Sequence, residues 1–149
     1  MYKEFDGYLD SFAKMPGIND SWFDDGCVIA TEMLQEFTAD DWRKLTNSIL
    51  SKSVMWQTLY AYCVDSDIND EAIIKSLVIL CGIDDDELFV TCIDSLRCII
   101  NQNNIRIIAN DRFLAQKLEK LLPKCGIVTK KIIEEFIDKL NNYSGILDE

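Results

Sequence analysis

The sequence predicts an all-α fold of about eight helices, arranged as stacked antiparallel helical hairpins or as an irregular helical bundle. Apolar residues recur at spacings of three and four along most of the 149 residues, which is the period of a helix packed on one face. Ser, Thr, Asp or Asn precede several of these segments, where their side chains accept hydrogen bonds from the free N–H groups of a first helical turn. The one strand-like stretch, residues 105–109, is too short and isolated to imply a sheet, so we expect an extended connection or a short helix there.

The first three helices are delimited by breaks and caps. Residues 3–14 carry apolar side chains on one helical face, and the Met-Pro-Gly sequence at 15–17 ends that helix. A second helix opens at Ser21. Thr38, with Asp41 three residues later, predicts a capping box at the start of the third helix. The second helix is expected to bury an apolar stripe formed by Val28, Ile29, Met33, Leu34 and Phe37.

The middle of the chain predicts the most buried helices. A fourth helix follows the polar residues 51–53, and a fifth, capped by residues 69–71, is apolar almost all round over residues 72–81. A helix of that kind lies in the middle of a bundle or stack. The acidic residues 84–87 start a sixth helix, which runs to about Ile100.

The last two helices are delimited by polar caps at their starts and by a Pro and a Gly between them. Residues 110–111 cap a seventh helix, which Pro123 and Gly126 end. Thr129 is expected to cap the eighth helix. We expect residues 142–149 to form a frayed tail.

Length and charge bound the class of protein. A single helical domain is expected over residues 1–149, because that is the length of one domain. The net charge of −11 repels nucleic acid and anionic membranes and attracts basic proteins. Residues 1–41 hold ten acidic and two basic side chains, whereas residues 98–149 hold seven acidic and eight basic ones. The negative charge is therefore concentrated in the first half, either as a binding surface or simply as a solubilising one.

Several common signatures of catalytic and metal-binding sites are missing. The chain has no histidine, which removes the commonest general base and the commonest metal ligand. It has no phosphate-binding glycine loop and no Cys-x-x-Cys pair. Residues 65–69 imitate the start of a calcium loop, but Asp70 and Ser76 replace the Gly and Glu that such a loop requires, so a polar turn is the better interpretation. We therefore predict no enzyme activity, no cofactor and no metal.

The cysteines and the absence of targeting signals indicate a cytoplasmic protein. The N-terminus does not resemble a signal peptide, and the longest apolar run is Leu77–Ile83, far short of the about 20 residues that cross a membrane. Six cysteines are expected to be reduced core residues. They are Cys27, Cys63, Cys81, Cys92, Cys98 and Cys125.

Acidic clusters at helix ends are the candidate binding surface. In a stack of helical hairpins alternate turns emerge on one edge, so several of these clusters could form one negative ridge that steers a basic protein toward it. Trp42 and Trp56 fit apolar helix faces and are assigned to the core, whereas Trp22 is expected to be partly exposed as an anchor. The predicted partner-binding residues are Trp22, Asp24, Asp25, Asp40, Asp41, Asp65, Asp67, Asp70, Asp84, Asp85, Asp86 and Glu87.

Four segments between Phe37 and Ile100 carry a family resemblance: residues 37–45, 53–59, 72–80 and 94–97. In these acidic helical pairs the chain resembles the small helical immunity proteins of bacterial toxin systems, including those of contact-dependent growth inhibition. The resemblance implies a HEAT-like helical fold and a cytoplasmic monomer that forms a heterodimer with a cognate toxin domain. That domain is expected to be basic and is often a nuclease. The immunity protein is expected to cover the active site or substrate groove of that domain. The alternative is a helical-repeat scaffold or adaptor that binds a peptide or helix in an apolar groove.

Overall fold

The structure, a computed structural model, describes residues 1–65, 68, 71–109 and 111–147. These residues contain helices and no strand, which confirms the predicted all-α class. A π-helical segment, Trp22–Gly26, leads directly into the second α-helix, and short 3₁₀ helices occur at Ile49–Ser51 and Ile105–Ile107. The α-helices are α1 (Tyr2–Ala13), α2 (Cys27–Gln35), α3 (Ala39–Ser48), α4 (Val54–Tyr62), α5 (Glu71–Cys81), α6 (Asp86–Ile99), α7 (Arg112–Leu121) and α8 (Ile127–Leu147).

Helix α6 is the centre of the bundle. It packs against α4, α5 and α8, and its apolar residues are buried on several sides. Among the described helices, α5 and α6 pack as a close hairpin, whereas α3 with α4 and α7 with α8 make few contacts. Of the two predicted arrangements, the described residues therefore adopt the irregular helical bundle.

Helices α1 and α4 run parallel to each other. The Phe5 ring packs edge-on against Trp56 and Tyr60, with centroid distances of 6.0 and 6.3 Å. The start of α1 lies beside the start of α3, since Tyr2 N–H donates to Asp41 at 3.1 Å. Its end lies beside the π-helical segment, where the Phe12 and Trp22 rings are 5.1 Å apart. The two ends of α1 therefore mark two separate ends of the bundle.

Side-chain caps at helix starts confirm most of the predicted boundaries. Thr38 and Asp41 form the predicted capping box at the start of α3. Asp85 caps α6 and Asp111 caps α7, each by accepting a hydrogen bond from the main chain three residues later, at 2.9 Å. The cap predicted for α5 includes residues 69 and 70, which lie outside the described residues.

The boundaries of α8 differ from the prediction. Thr129 does not cap this helix, because Lys130 N–H already donates to the Gly126 carbonyl at 2.9 Å and the helix begins at Ile127. At the other end the helical backbone continues to Leu147, and Tyr143 packs partly against the core. The predicted frayed tail over residues 142–149 stays a prediction, and residues 148 and 149 lie outside the described residues.

Candidate interaction surface

An acidic and apolar surface, here called the α2 face, is formed by the solvent side of the π-helical segment and α2. The opposite side of these elements is buried through Trp22, Ala30 and Leu34. Three apolar side chains on the solvent side are 53%, 55% and 40% exposed, although apolar helix residues are normally turned to the core. The α2 face comprises Phe23, Asp24, Asp25, Val28, Ile29 and Glu32, all exposed.

The π-helical segment sets which residues face outward. Cys27 N–H donates to the Trp22 carbonyl, a bond that spans five residues and widens the turn. The Trp22 ring then packs over Gly26, where a Cβ atom would lie 2.8 Å from both the Phe12 and the Trp22 rings. Only glycine fits there without a shift. This close approach turns Trp22 inward and leaves Phe23 in solvent.

Two expectations for this region are wrong. Trp22 is fully buried rather than partly exposed, so it cannot be a surface anchor. Its indole Nε1 makes no hydrogen bond among the described residues. Val28 and Ile29 are exposed rather than part of the buried stripe, because the stripe runs through Trp22, Gly26 and Ala30 instead. Gly26 and Ala30, two small residues four positions apart, were the feature of the sequence that could have indicated this buried stripe.

The α2 face continues into a cleft at the start of α6. The Phe23 ring packs edge-on against the Tyr62 ring at 5.6 Å. Tyr62 also lines an open cleft, which Asp86, Glu87 and Lys124 border. The Phe23–Tyr62 pair, in which Phe23 is exposed and Tyr62 is half-buried, therefore connects the segment that carries Asp24 and Asp25 to the cleft that Asp86 and Glu87 border. The half-buried Asp65 follows Tyr62 at the end of α4. We call the α2 face together with Tyr62, Asp86 and Glu87 the acidic end of the bundle.

The exposed carboxylates of the acidic end form few contacts with cations inside the described part of the protein, and Lys124 is the nearby basic residue on the border of the cleft. Within the described residues, no ion pair is formed by Asp24, Asp25, Glu32, Asp86 or Glu87. The sequence contributes to this, because residues 15–42 contain seven acidic side chains and no Lys or Arg. Uncompensated charges of one sign produce a field that reaches into solvent and attracts cations.

Asp40 and Asp41 lie at the other end of α1 and are already engaged. Asp40 is 3.2 Å from Lys44 Nζ and also pairs with Arg43. Asp41 is only 7% exposed and accepts hydrogen bonds from the main-chain N–H groups of Thr38 and Tyr2, at 2.9 and 3.1 Å. The bond from Thr38 is the main reason that the pKa of Asp41 falls to about 2. The carboxylate of Asp41 therefore serves as a hydrogen-bond acceptor within the fold.

The clusters at residues 24–25 and 40–41 therefore do not belong to one ridge. Asp40 and Asp41 lie beside the start of α1, whereas Asp24 and Asp25 lie beyond its end, a 12-residue helix away. The physical reason is that the helices do not stack as regular hairpins, so alternate turns do not share one edge.

The remaining predicted residues also lie in different parts of the structure. Asp85 is half-buried as the cap of α6. Asp84 borders a different groove, lined by Phe113, Lys117 and Lys120 of α7. Asp67 and Asp70 lie outside the described residues.

The cysteines are free, but not all of them are in the core. Cys63, Cys81 and Cys92 are buried as predicted. Cys98 is exposed, which corrects the expectation, because its position on α6 faces away from the bundle. Cys27 and Cys125 are half-buried.

Two other features, a metal-binding cluster and a membrane-spanning helix, are not found in the described part of the chain. It holds no group of three or more Cys, Asp or Glu residues that could bind a metal ion. None of its helices combines the length and apolar character required to cross a bilayer. Comparison with known proteins finds no matching family model, no match among curated proteins and no match among solved structures.

Proposed function

We propose that this protein binds a basic toxin domain through the acidic end and neutralises it by covering its active site or substrate groove. A nuclease domain is the class of partner that fits best, and the cytoplasm is the proposed location. The observation that carries the proposal is the contact of exposed Phe23, next to Asp24 and Asp25 in the chain, with Tyr62, which lines a cleft bordered by Asp86 and Glu87. The protein would act by binding alone, without enzyme activity.

The composition of the acidic end supports both a fast and a stable association. Phe23, Val28 and Ile29 offer apolar area that a partner would bury, and buried aromatic side chains supply much of the energy of protein interfaces. The surrounding carboxylates would raise the association rate with a cationic partner. A nuclease has a cationic groove because it binds phosphates, so it is a natural complement to this surface.

Charge-neutral variants of the acidic end test the proposal. The partner to be tested is the basic C-terminal domain of any secreted protein that a neighbouring gene encodes. We expect the chain to bind that domain and to suppress its nuclease activity. The double variant Asp24→Asn/Asp25→Asn should associate more slowly at low salt, with a weaker dependence on salt. Phe23→Ala should mainly accelerate dissociation, since it removes apolar contact without changing charge.

Asp138→Asn is the matched control, because Asp138 is an exposed carboxylate on α8, away from the acidic end. It should leave both rates unchanged. Equal stopped-flow association rates for wild type and the Asp24/Asp25 double variant at low salt would refute the assignment of this surface.

An adaptor function is the second candidate, and one groove favours it. Apolar side chains of α7 and α8 line a depression of about 280 Å³, which could receive one face of an amphipathic helix. Its lining includes Leu114, Leu118 and Ile137. Binding there would depend little on salt and would be lost in Leu114→Asp but not in the Asp24/Asp25 double variant. Isothermal titration calorimetry at two salt concentrations distinguishes the two functions.

A further inference from the structure

Two cysteines far apart in the sequence face each other where α2 meets the end of α4. Cys27 is the first residue of α2, and its Sγ lies 3.3 Å from the carbonyl oxygen of Tyr62, the residue before Cys63. The hydroxyl of Thr31 lies 2.8 Å from the Cys27 carbonyl and 2.9 Å from the Cys63 carbonyl. These contacts place the Cys27 sulfur beside the main chain that carries Cys63, and one hydroxyl links the main chains of both cysteines.

The two thiols differ in access and in chemistry. Cys27 is half-buried and reachable from solvent, whereas Cys63 is fully buried. A hydrogen bond from the Cys63 thiol is the main cause that lowers the pKa of Cys27 to about 7, while burial raises the pKa of Cys63. Asp65 opposes the first effect, since its charge raises the pKa of Cys27. Cys27 is therefore the attacking thiolate and Cys63 the protonated neighbour.

We propose that Cys27 and Cys63 form a reversible intramolecular disulfide when the protein encounters a peroxide. In the first step the Cys27 thiolate attacks one oxygen of the peroxide, the O–O bond breaks, and Cys27 becomes a sulfenic acid while hydroxide leaves. In the second step Cys63 Sγ attacks the Cys27 sulfur, the S–O bond breaks, and the Cys63 proton leaves with the hydroxyl as water. For hydrogen peroxide the balance is two thiols oxidised and one peroxide reduced to two waters.

A second cysteine pair provides an internal comparison. Cys81 and Cys92 are also neighbours, and the hydrogen bond that the Cys92 thiol donates to Cys81 is the main cause that raises the pKa of Cys92. Both side chains are buried, so a peroxide cannot reach either sulfur in the folded protein. A short distance between two cysteines is therefore not sufficient for oxidation by a peroxide. Cys27 differs from Cys81 and Cys92 because it is partly exposed.

Peptide mapping of the full chain tests the proposal. The reduced, folded protein is treated with hydrogen peroxide, its remaining thiols are alkylated, and its proteolytic peptides are analysed by mass spectrometry. We expect one cross-linked peptide pair that joins Cys27 to Cys63 with the loss of two hydrogens, and dithiothreitol should reverse it. Cys27→Ser should abolish the cross-link, and Cys98→Ser, the matched control at an exposed cysteine, should keep it.

Removal of the buried partner separates the two steps. In Cys63→Ala the sulfenic acid at Cys27 should persist and be trapped by dimedone, with helicity verified by circular dichroism. If this variant fails to fold, the mapping of the wild type decides alone. A cross-link between other cysteines, or a Cys27 that stays reduced at peroxide concentrations that oxidise Cys98, would overturn the proposal.

Discussion

The carboxylate of Asp6 accepts a hydrogen bond from the indole Nε1 of Trp56 at 3.0 Å, which ties α1 to α4. The same oxygen lies 2.8 Å from Lys52 Nζ, and that cation lies 5.4 Å from the centre of the Trp56 ring. Trp56 is almost completely buried, so its polar atom depends on this one acceptor. The parallel pair of helices is therefore fixed by a polar contact as well as by the rings around Phe5.

Asp6→Ala is expected to destabilise the fold by about 1–3 kcal/mol, because it leaves the buried Trp56 N–H without a partner. Urea unfolding followed by circular dichroism measures the change. Asp10→Ala is the control on the same helix, since Asp10 makes only an exposed pair with Lys14 at 2.8 Å. A loss as large in Asp10→Ala as in Asp6→Ala would contradict the role given to the indole contact.

Gly26→Ala should destabilise the protein by about 1–3 kcal/mol, because the new methyl group has to displace the Phe12 and Trp22 rings. Gly7→Ala gives the matched comparison, since nothing lies within 4 Å of the Cβ position at Gly7. In the helix α1 that substitution is expected to stabilise by about 0.5–1 kcal/mol. Thermal melting of both variants gives the two signs, and a neutral Gly26→Ala would argue against the close ring packing.

Asp41 should make stability depend on pH in the acid range. Its pKa is about 2 in the folded protein against an ordinary value of 3.8, so its contribution is complete above pH 3.8 and is lost as the pH falls toward about 2. Wild type should therefore lose stability across this window, and Asp41→Asn should lose less. Urea unfolding at a series of pH values tests this, with Asp138→Asn expected to follow wild type.

Lys117 is expected to stabilise the junction of α5 and α6. Its Nζ donates to the carbonyl oxygens of Cys81 and Ile83 at 2.8 and 2.7 Å, and lies 4.7 Å from the centre of the Phe89 ring. Lys117→Met keeps the aliphatic stem but removes these charged hydrogen bonds, at a cost of about 1–3 kcal/mol. Lys120→Met, at an exposed position on α7, should change the unfolding free energy little. Equal effects would show that the carbonyl contacts do not matter.

Local signals in the sequence predicted the helices and most of their starts. The capping box of Thr38 and Asp41 is an example, because both partners lie within one turn and the hydrogen bonds depend on few other residues. The apolar character of residues 72–81 likewise predicted a helix, but its expected place in the middle of the bundle is taken by α6, on which α5 packs. Features that depend only on neighbours three or four residues away can be predicted from a single sequence.

The candidate site depended on contacts that the sequence does not reveal. Trp22 and Phe23 are adjacent aromatic residues, and which of them turns inward is decided by Phe12 and Gly26 in another part of the fold. The order in which helices pack was equally hidden, so the clusters at residues 24–25 and 40–41 could not be assigned to different ends. Cys27 and Cys63 are neighbours only because the start of α2 lies beside the end of α4.

The central position of α6 has a consequence for the way the molecule opens. Since α4, α5 and α8 all pack on this one helix, its detachment would expose the core side of all three. Amide protons in the buried stretch from Leu88 to Leu96 should then exchange with deuterium only through global unfolding. The free energy derived from their exchange should equal that from denaturant, so the bundle behaves as one cooperative unit.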